Sequence, residues 1–192
     1  MNLITVPITL AALSLLSASL YAQKYDYRIL ATTKTSSLEK EMNQAGDAGF
    51  AFGSVMGGES SFGGKEVIVV MKKDLDGASS TNRKYLLVAT SKTGTLQKEL
   101  QQAGDAGFEY CGQTVFESAF GGREVSIILE RGQSESTPVK IEYKLLATSK
   151  TSTMEKELRQ AGEAGFQFLG VVVGKTALGG KEVISILKKV QK

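Results

Sequence analysis

The chain of 192 residues carries a net charge of +3, and 42% of its residues are hydrophobic. This balance is typical of a globular protein and argues against intrinsic disorder. The chain has no histidine and one cysteine, so the commonest general base and the commonest metal ligands are scarce or missing. A small, dispersed charge gives no support to nucleic-acid binding. Composition therefore favours a non-enzymatic protein without a metal or other cofactor.

The first 22 residues contain no charged side chain, and their apolar centre runs from Leu3 to Leu16. Small residues near Ala22 then predict a secretory signal peptide over residues 1–22, cut before Gln23. An uncleaved membrane anchor is the alternative, although Pro7 and several Ser and Thr weaken a spanning segment. No later segment is apolar for long enough to span a membrane. We therefore expect export to the periplasm or the exterior, with no membrane contact after cleavage.

One segment of the chain occurs three times. The copies begin at Tyr27, Tyr85 and Tyr143, each 58 residues after the last, and 17 of their 46 positions are identical in all three. A fixed period of this length indicates a repeat architecture. Each copy alone is short for an independent folding unit, so the copies are expected to share a core. The predicted repeats cover residues 23–73, 83–131 and 141–192.

Each copy is predicted to contain a strand, a helix and two more strands. In the first copy, Tyr27 to Thr32 is β-branched and aromatic, which favours a strand. Ser36 followed by Glu39 predicts a capping box at the start of the helix. Apolar residues then recur at helical spacing, so that one stripe is buried while Glu39 faces water. Glycines close the helix, and Gly49 is predicted to be the left-handed residue at its end.

Two further strands follow the helix, from Phe50 and from Val67. Between them, Gly63 and Gly64 predict a two-residue hairpin with positive φ at both positions. The first two strands are joined through the helix, as parallel strands of one sheet require. Both faces of the third strand are apolar, so a neighbouring copy must cover the face that the helix leaves open. The predicted fold is α+β, with three tandem βαββ repeats sharing a core around a pseudo-threefold axis, sheets inward and helices outward.

A family resemblance covers each copy from its first tyrosine onward. The runs LEKEMNQAGDAGFAF, LQKELQQAGDAGFEY and MEKELRQAGEAGFQF resemble the helix-to-strand signature of a family of small bacterial βαββ domains of unknown function. Phe50, Phe108 and Phe166 stand where that family usually has tryptophan. The resemblance implies the βαββ fold and an oligomer-like assembly of the copies, and it brings no catalytic residues.

The candidate ligand-binding residues are Lys34, Lys92 and Lys150, each in a Thr-x-Lys-Thr loop before a helix. With the backbone amides of the helix N-terminus, they could hold a phosphate or a carboxylate. The simpler interpretation is a solvated loop whose Thr and Ser cap the helix. Cys111 stands at a strand position where the other copies have glycine or leucine, which favours its interpretation as a small hydrophobe. The alternative is an intermolecular disulfide or a reactive thiol.

These features predict an exported, non-enzymatic repeat protein that acts as a binding or structural scaffold. The alternative is a small-ligand or anion-binding protein that uses the three lysine loops. The partner is expected to be another protein or a second copy of the chain, and neither its identity nor the ligand's follows from the sequence.

Overall fold

The computed structural model of the protein describes residues 23–60, 64–77, 83–117, 122–132, 139–175 and 180–191. The predicted signal peptide lies outside these residues. The described chain forms three units of strand, helix, strand and strand. Unit 1 contains β1 (Tyr25–Thr32), α1 (Thr35–Asp47), β2 (Ala51–Ser60) and β3 (Gly64–Asp74); unit 2 contains β4 (Arg83–Thr90), α2 (Thr93–Asp105), β5 (Glu109–Glu117) and β6 (Arg123–Gly132); unit 3 contains β7 (Ile141–Thr148), α3 (Thr151–Glu163), β8 (Gln167–Lys175) and β9 (Lys181–Val190).

The three sheets have the same topology. Each has the last strand of its unit in the centre, in the orders β1-β3-β2, β4-β6-β5 and β7-β9-β8. The central strand is antiparallel to both neighbours, so the first and second strands of a unit run parallel to each other. This confirms the predicted connection through the helix. It leaves the first strand of every unit at a sheet edge.

The predicted helix C-termini agree with the structure, whereas the predicted N-terminal cap does not. Gly49, Gly107 and Gly165 have φ values of 86°, 77° and 86° directly after the helices, which confirms the left-handed C-terminal glycine. At the N-terminus, however, α1 begins at Thr35 with Lys34 as its N-cap and has no side-chain cap hydrogen bond. The predicted capping box of Ser36 and Glu39 is therefore wrong, because Glu39 makes a contact outside its own unit.

The predicted two-residue hairpin is also wrong. β2 and β3 are antiparallel neighbours as expected, but the register pairs Ser60 with Gly64. A two-residue turn at Gly63 and Gly64 would pair Phe62 with Lys65, whereas Lys65 pairs with Glu59. Residues 61–63 lie outside the described chain. In unit 2 the last described pair is Glu117 with Arg123, and residues 118–121 lie outside the described chain. Gly64 does have a positive φ of 133°, although it is the first residue of β3 rather than the centre of a tight turn.

Each sheet has a front face, which packs on its own helix, and a back face. In unit 1 the front face of β3 buries Val67, Val69 and Met71 against Leu38 and Met42 of α1. The back face of the next sheet packs against the same cluster, to which it contributes Tyr85, Leu87 and Ile128. The arrangement recurs one unit later, where Tyr143, Ile184 and Ile186 join the core of unit 2.

The predicted fold class is thus confirmed. The protein is α+β, its three βαββ units share their cores, and one arrangement is repeated from unit to unit, as a pseudo-threefold organisation requires.

Candidate functional site

The three predicted lysines lie at equivalent positions immediately before the helices. Lys34, Lys92 and Lys150 are the N-cap residues of α1, α2 and α3, and all three are exposed. In each loop the hydroxyl of the threonine two residues before the lysine accepts the backbone N–H of that lysine. In the first loop the Lys34 nitrogen lies 3.1 Å from the Thr32 hydroxyl oxygen. The first-turn amides of the helices have no side-chain cap. One requirement of an anion site is therefore met.

The second lysine loop already has a carboxylate beside it. The hydroxyl of Thr93, the first residue of α2, donates a hydrogen bond to Glu182 of unit 3. A carboxylate beside a helix N-terminus interacts favourably with the helix dipole. The Glu182 carboxylate thus already places a negative charge at the N-terminus of α2, which makes binding of a free anion beside Lys92 less favourable.

The helices use side chains to hold the edge strand of the next unit. Asn43 of α1 accepts the N–H of Tyr85 at 3.0 Å and donates to its carbonyl at 2.9 Å. Glu39 accepts the N–H of Leu87 at 2.9 Å. An edge strand has unpaired backbone groups, and these two side chains satisfy three of them on β4. Glu39 was expected to face water, and this contact corrects that expectation.

Side chains of α2 form hydrogen bonds with the backbone of the edge strand β7 in the same way. Gln101 accepts the N–H of Tyr143 at 3.0 Å, and Gln97 accepts the N–H of Leu145 at 2.7 Å. Gln97 also donates to the carbonyl of Tyr143 at 2.9 Å. This role of positions 39, 43, 97 and 101 was not predicted. Their spacing of four residues on one helix side, with acceptor groups at every position, was the signal that could have revealed it.

A tyrosine of each later unit enters the core of the unit before it. Tyr85 is 3% exposed and its hydroxyl accepts the N–H of Phe52 at 2.9 Å. Tyr143 is 2% exposed and its hydroxyl donates to the carbonyl of Phe108 at 2.9 Å. Burial raises the pKa of both phenols above the ordinary value. The two tyrosines therefore stay neutral and serve as packing and hydrogen-bonding groups.

Glycines in the last helical turn allow this close approach. A Cβ atom added at Gly46 would lie 2.6 Å from the carbonyl oxygen of Arg83, and one at Gly104 would lie 2.1 Å from that of Ile141. Both distances are too short for non-bonded atoms. The glycines are required because the helix lies directly against the next unit's first strand.

The corresponding surfaces at the two ends of the chain are exposed. Tyr27 and Ile29, the equivalents of Tyr85 and Leu87, are each 61% exposed. At the other end, a Cβ atom added at Gly162 would have no neighbour within 4 Å. We define the unit 1 end face as Tyr25, Tyr27, Ile29 and Met56, and the unit 3 end face as Glu155, Arg159, Gly162, Phe168, Val171 and Val173, all of them exposed.

A groove of about 550 Å³ lies over β4 between α1 and α2. Its polar lining includes the carboxylates of Glu39 and Glu99, while Lys34 and Lys92 do not line it. Because Glu39 already holds β4 and none of the residues that line the groove is basic, the groove does not suit an anion. The groove and the lysine loops are therefore separate features.

The single cysteine lies at the contact between units 1 and 2. Cys111 has no disulfide partner and packs against the core of unit 1. Burial, and then the nearby Glu130 carboxylate, raise the pKa of its thiol above the ordinary value. A protonated, packed thiol is a poor nucleophile, which agrees with its interpretation as a small hydrophobe.

Within the described residues, no three His, Cys, Asp or Glu side chains come close enough together to hold a metal ion. None of the described helices combines the length and the apolar character needed to cross a bilayer. Comparison of the chain with protein-family models, with curated proteins and with solved structures gave no match.

Proposed function

We propose that this chain is an exported, non-enzymatic scaffold that binds a polypeptide through its end faces. The observation that carries the proposal is the exposure of Tyr27 and Ile29 at one end and of Phe168, 49% exposed, at the other. Exposed apolar side chains that cluster in this way mark interaction sites. The three units are also proposed to be members of the family of small bacterial βαββ domains that their helix-to-strand runs resemble.

The polar groups of the shared interfaces support a structural role over a catalytic one. Asn43, Gln97 and Gln101 are occupied by backbone groups of the next unit, and Glu39 is occupied in the same way. The phenols of Tyr85 and Tyr143 are buried and hydrogen-bonded. Among these groups only Glu39 and the two phenols are ionisable, and all three are committed to contacts between units.

Site-specific crosslinking in the producing cell tests the scaffold proposal. A photoreactive residue replaces Ile29 in one variant and Phe168 in another, and exposed Lys98 on α2 serves as the matched control. We expect illumination to attach a polypeptide at both end-face positions and not at the control. If neither end-face position attaches a polypeptide in cells that export the protein, the proposal is contradicted.

An anion-binding function is the second candidate, and the helix N-termini without side-chain caps favour it. Calorimetric titration with inorganic phosphate and with acetate tests it. If Lys34, Lys92 and Lys150 hold an anion, replacing all three with alanine should abolish the heat of binding and leave the melting temperature unchanged within a few degrees, because exposed lysines contribute little to stability. A parent protein that binds neither anion would eliminate this candidate.

A further inference from the structure

We infer that the polypeptide bound by each end face is a second copy of this chain, with unit 1 of one copy docked on unit 3 of the next. The inference rests on the proposed scaffold function and names its partner. The protein forms the same interface twice within itself, between units 1 and 2 and between units 2 and 3. Among the described residues, the two exposed end faces are the surfaces that could form a third interface of this kind.

The unit 1 end face retains the residue that the internal interfaces bury. Tyr85 and Tyr143 are almost completely buried in the preceding unit, whereas the equivalent Tyr27 is 61% exposed. No unit precedes Tyr27 in the described chain. Its backbone also lies on the sheet edge that α1 and α2 cover in β4 and β7. Tyr27 therefore has the position of a docking side chain, and no receiving surface for it lies among the described residues.

The unit 3 end face retains the receiving surface. Leu38 and Met42 of α1 are fully buried, but their equivalents Met154 and Leu158 on α3 are only half-buried. Gly162 keeps the last helical turn free of a side chain, although nothing in the described structure approaches it. Phe168, the equivalent of the packed Phe52, is exposed as well. The surface thus has the shape of the two internal receiving surfaces, and none of the described residues occupies it.

Side chains on α3 can repeat most of the polar contacts. Glu155 is equivalent to Glu39 and can accept the N–H of Ile29. Arg159 replaces the amide of Asn43, so it can donate to a backbone carbonyl but cannot accept an N–H. At present these two side chains pair with each other at 2.8 Å and are mostly exposed.

The contact between copies therefore has one backbone hydrogen bond fewer than an internal interface. Glu163 and Asp26 are equivalent to Asp47 and Lys84, which form an ion pair at 3.8 Å between units 1 and 2, so the contact between copies would have two like charges at that position. We expect an association that is weaker than the internal interfaces and depends on concentration.

Two different faces meet in this contact, so it is heterologous. Each added copy leaves a free face at both ends of the assembly, and growth stops only if the rotation between copies closes a ring.

Sedimentation of the exported chain across a wide range of concentration tests the inference. We expect the parent protein to form species larger than a monomer as concentration rises. Tyr27→Ala and Gly162→Ala should each remain monomeric, while Gln160→Ala should assemble like the parent. Gln160 is exposed in the same helical turn as Gly162 but lies on another side of the helix. Circular dichroism verifies that every variant is folded.

Mixing the two monomeric variants provides the decisive measurement. Tyr27→Ala keeps an intact unit 3 face and Gly162→Ala keeps an intact unit 1 face, so an equimolar mixture should form a dimer and nothing larger. The inference is overturned if the parent stays monomeric at all concentrations, or if the parent assembles and the mixture does not. If the crosslinked polypeptide in the producing cell is a different protein and the parent is monomeric, the scaffold proposal stands and the self-association fails.

Discussion

Adding one methyl group to the last turn of each helix is expected to give three different results. The new Cβ atom would lie 2.1 Å from a strand carbonyl oxygen at Gly104, 2.6 Å from one at Gly46, and more than 4 Å from any neighbour at Gly162. The first two neighbours are backbone atoms of the next unit, which cannot rotate away. Alanine at those positions must therefore push the next unit's first strand away from the helix.

The size of the destabilisation follows from the contacts that this displacement of the strand disturbs. Overpacking of a tight contact costs about 1–3 kcal/mol. Moving β7 also weakens its hydrogen bonds to Gln97 and Gln101, each worth about 1 kcal/mol. Helix propensity favours alanine over glycine by about 1 kcal/mol, which partly offsets the loss. We expect Gly104→Ala to destabilise by roughly 2–3 kcal/mol and Gly46→Ala by roughly 1–2, whereas Gly162→Ala should stabilise by up to about 1.

Urea unfolding and thermal melts followed by circular dichroism measure these differences. The protein is kept dilute so that association does not contribute. For a chain of this size, 1 kcal/mol corresponds to a change of about 2–4 °C in melting temperature, so Gly104→Ala should melt roughly 4–12 °C below the parent. Equal changes for Gly104→Ala and Gly162→Ala would refute the reasoning, because the two substitutions differ only in whether a neighbouring unit is present.

The hydrogen bond from β4 to Glu39 predicts that Glu39→Ala lowers the free energy of unfolding by about 1–2 kcal/mol, while Glu155→Ala, exposed on α3, changes it by less than about 0.5 kcal/mol in dilute protein. Urea unfolding of both variants is the check, and equal losses would show that the contact contributes nothing. Burial raises the pKa of Tyr85 and of Tyr143 above the ordinary value of 10.0, so the unfolded chain loses these protons at lower pH than the folded chain. The stability that the two tyrosines contribute is therefore fully present below pH 10 and falls as the pH rises further. Melting temperatures at increasing alkaline pH should show this fall, and a double Tyr→Phe variant that loses stability as steeply would contradict it. The raised thiol pKa of Cys111 predicts much slower reaction with a maleimide in the folded protein than in urea, and equal rates would mean that the thiol is not packed.

Features that depend on neighbours along the chain were predictable. Leu38 and Met42 are spaced for one buried helix face, and both are fully buried. Gly49 follows the last helical residues and has the positive φ that ends the helix. Both conclusions rest on helical geometry, which a few consecutive residues determine. The three-fold repetition then extended each local conclusion to all three units.

The same local reasoning failed where a partner from another unit competes. Ser36 and Glu39 have the spacing of a capping box, but the amide of Leu87 takes the carboxylate instead. The lysine loops were predictable as loops before helices, whereas the carboxylate of Glu182 beside Thr93 was not, because 89 residues separate the two. No pattern within one copy contains information about groups that far along the chain.

By itself, the sequence determined the repeat, the βαββ order of each unit, the helix ends at glycine and the need for the second face of the central strand to be covered. Only the tertiary structure decided what covers it: the back face of one unit packs on the helix and front face of the unit before. That arrangement has a direction, so the first and last units differ although their sequences are alike. Tyr27 is exposed and Tyr85 is buried because burial depends on having a preceding unit, which is a property of position in the assembly.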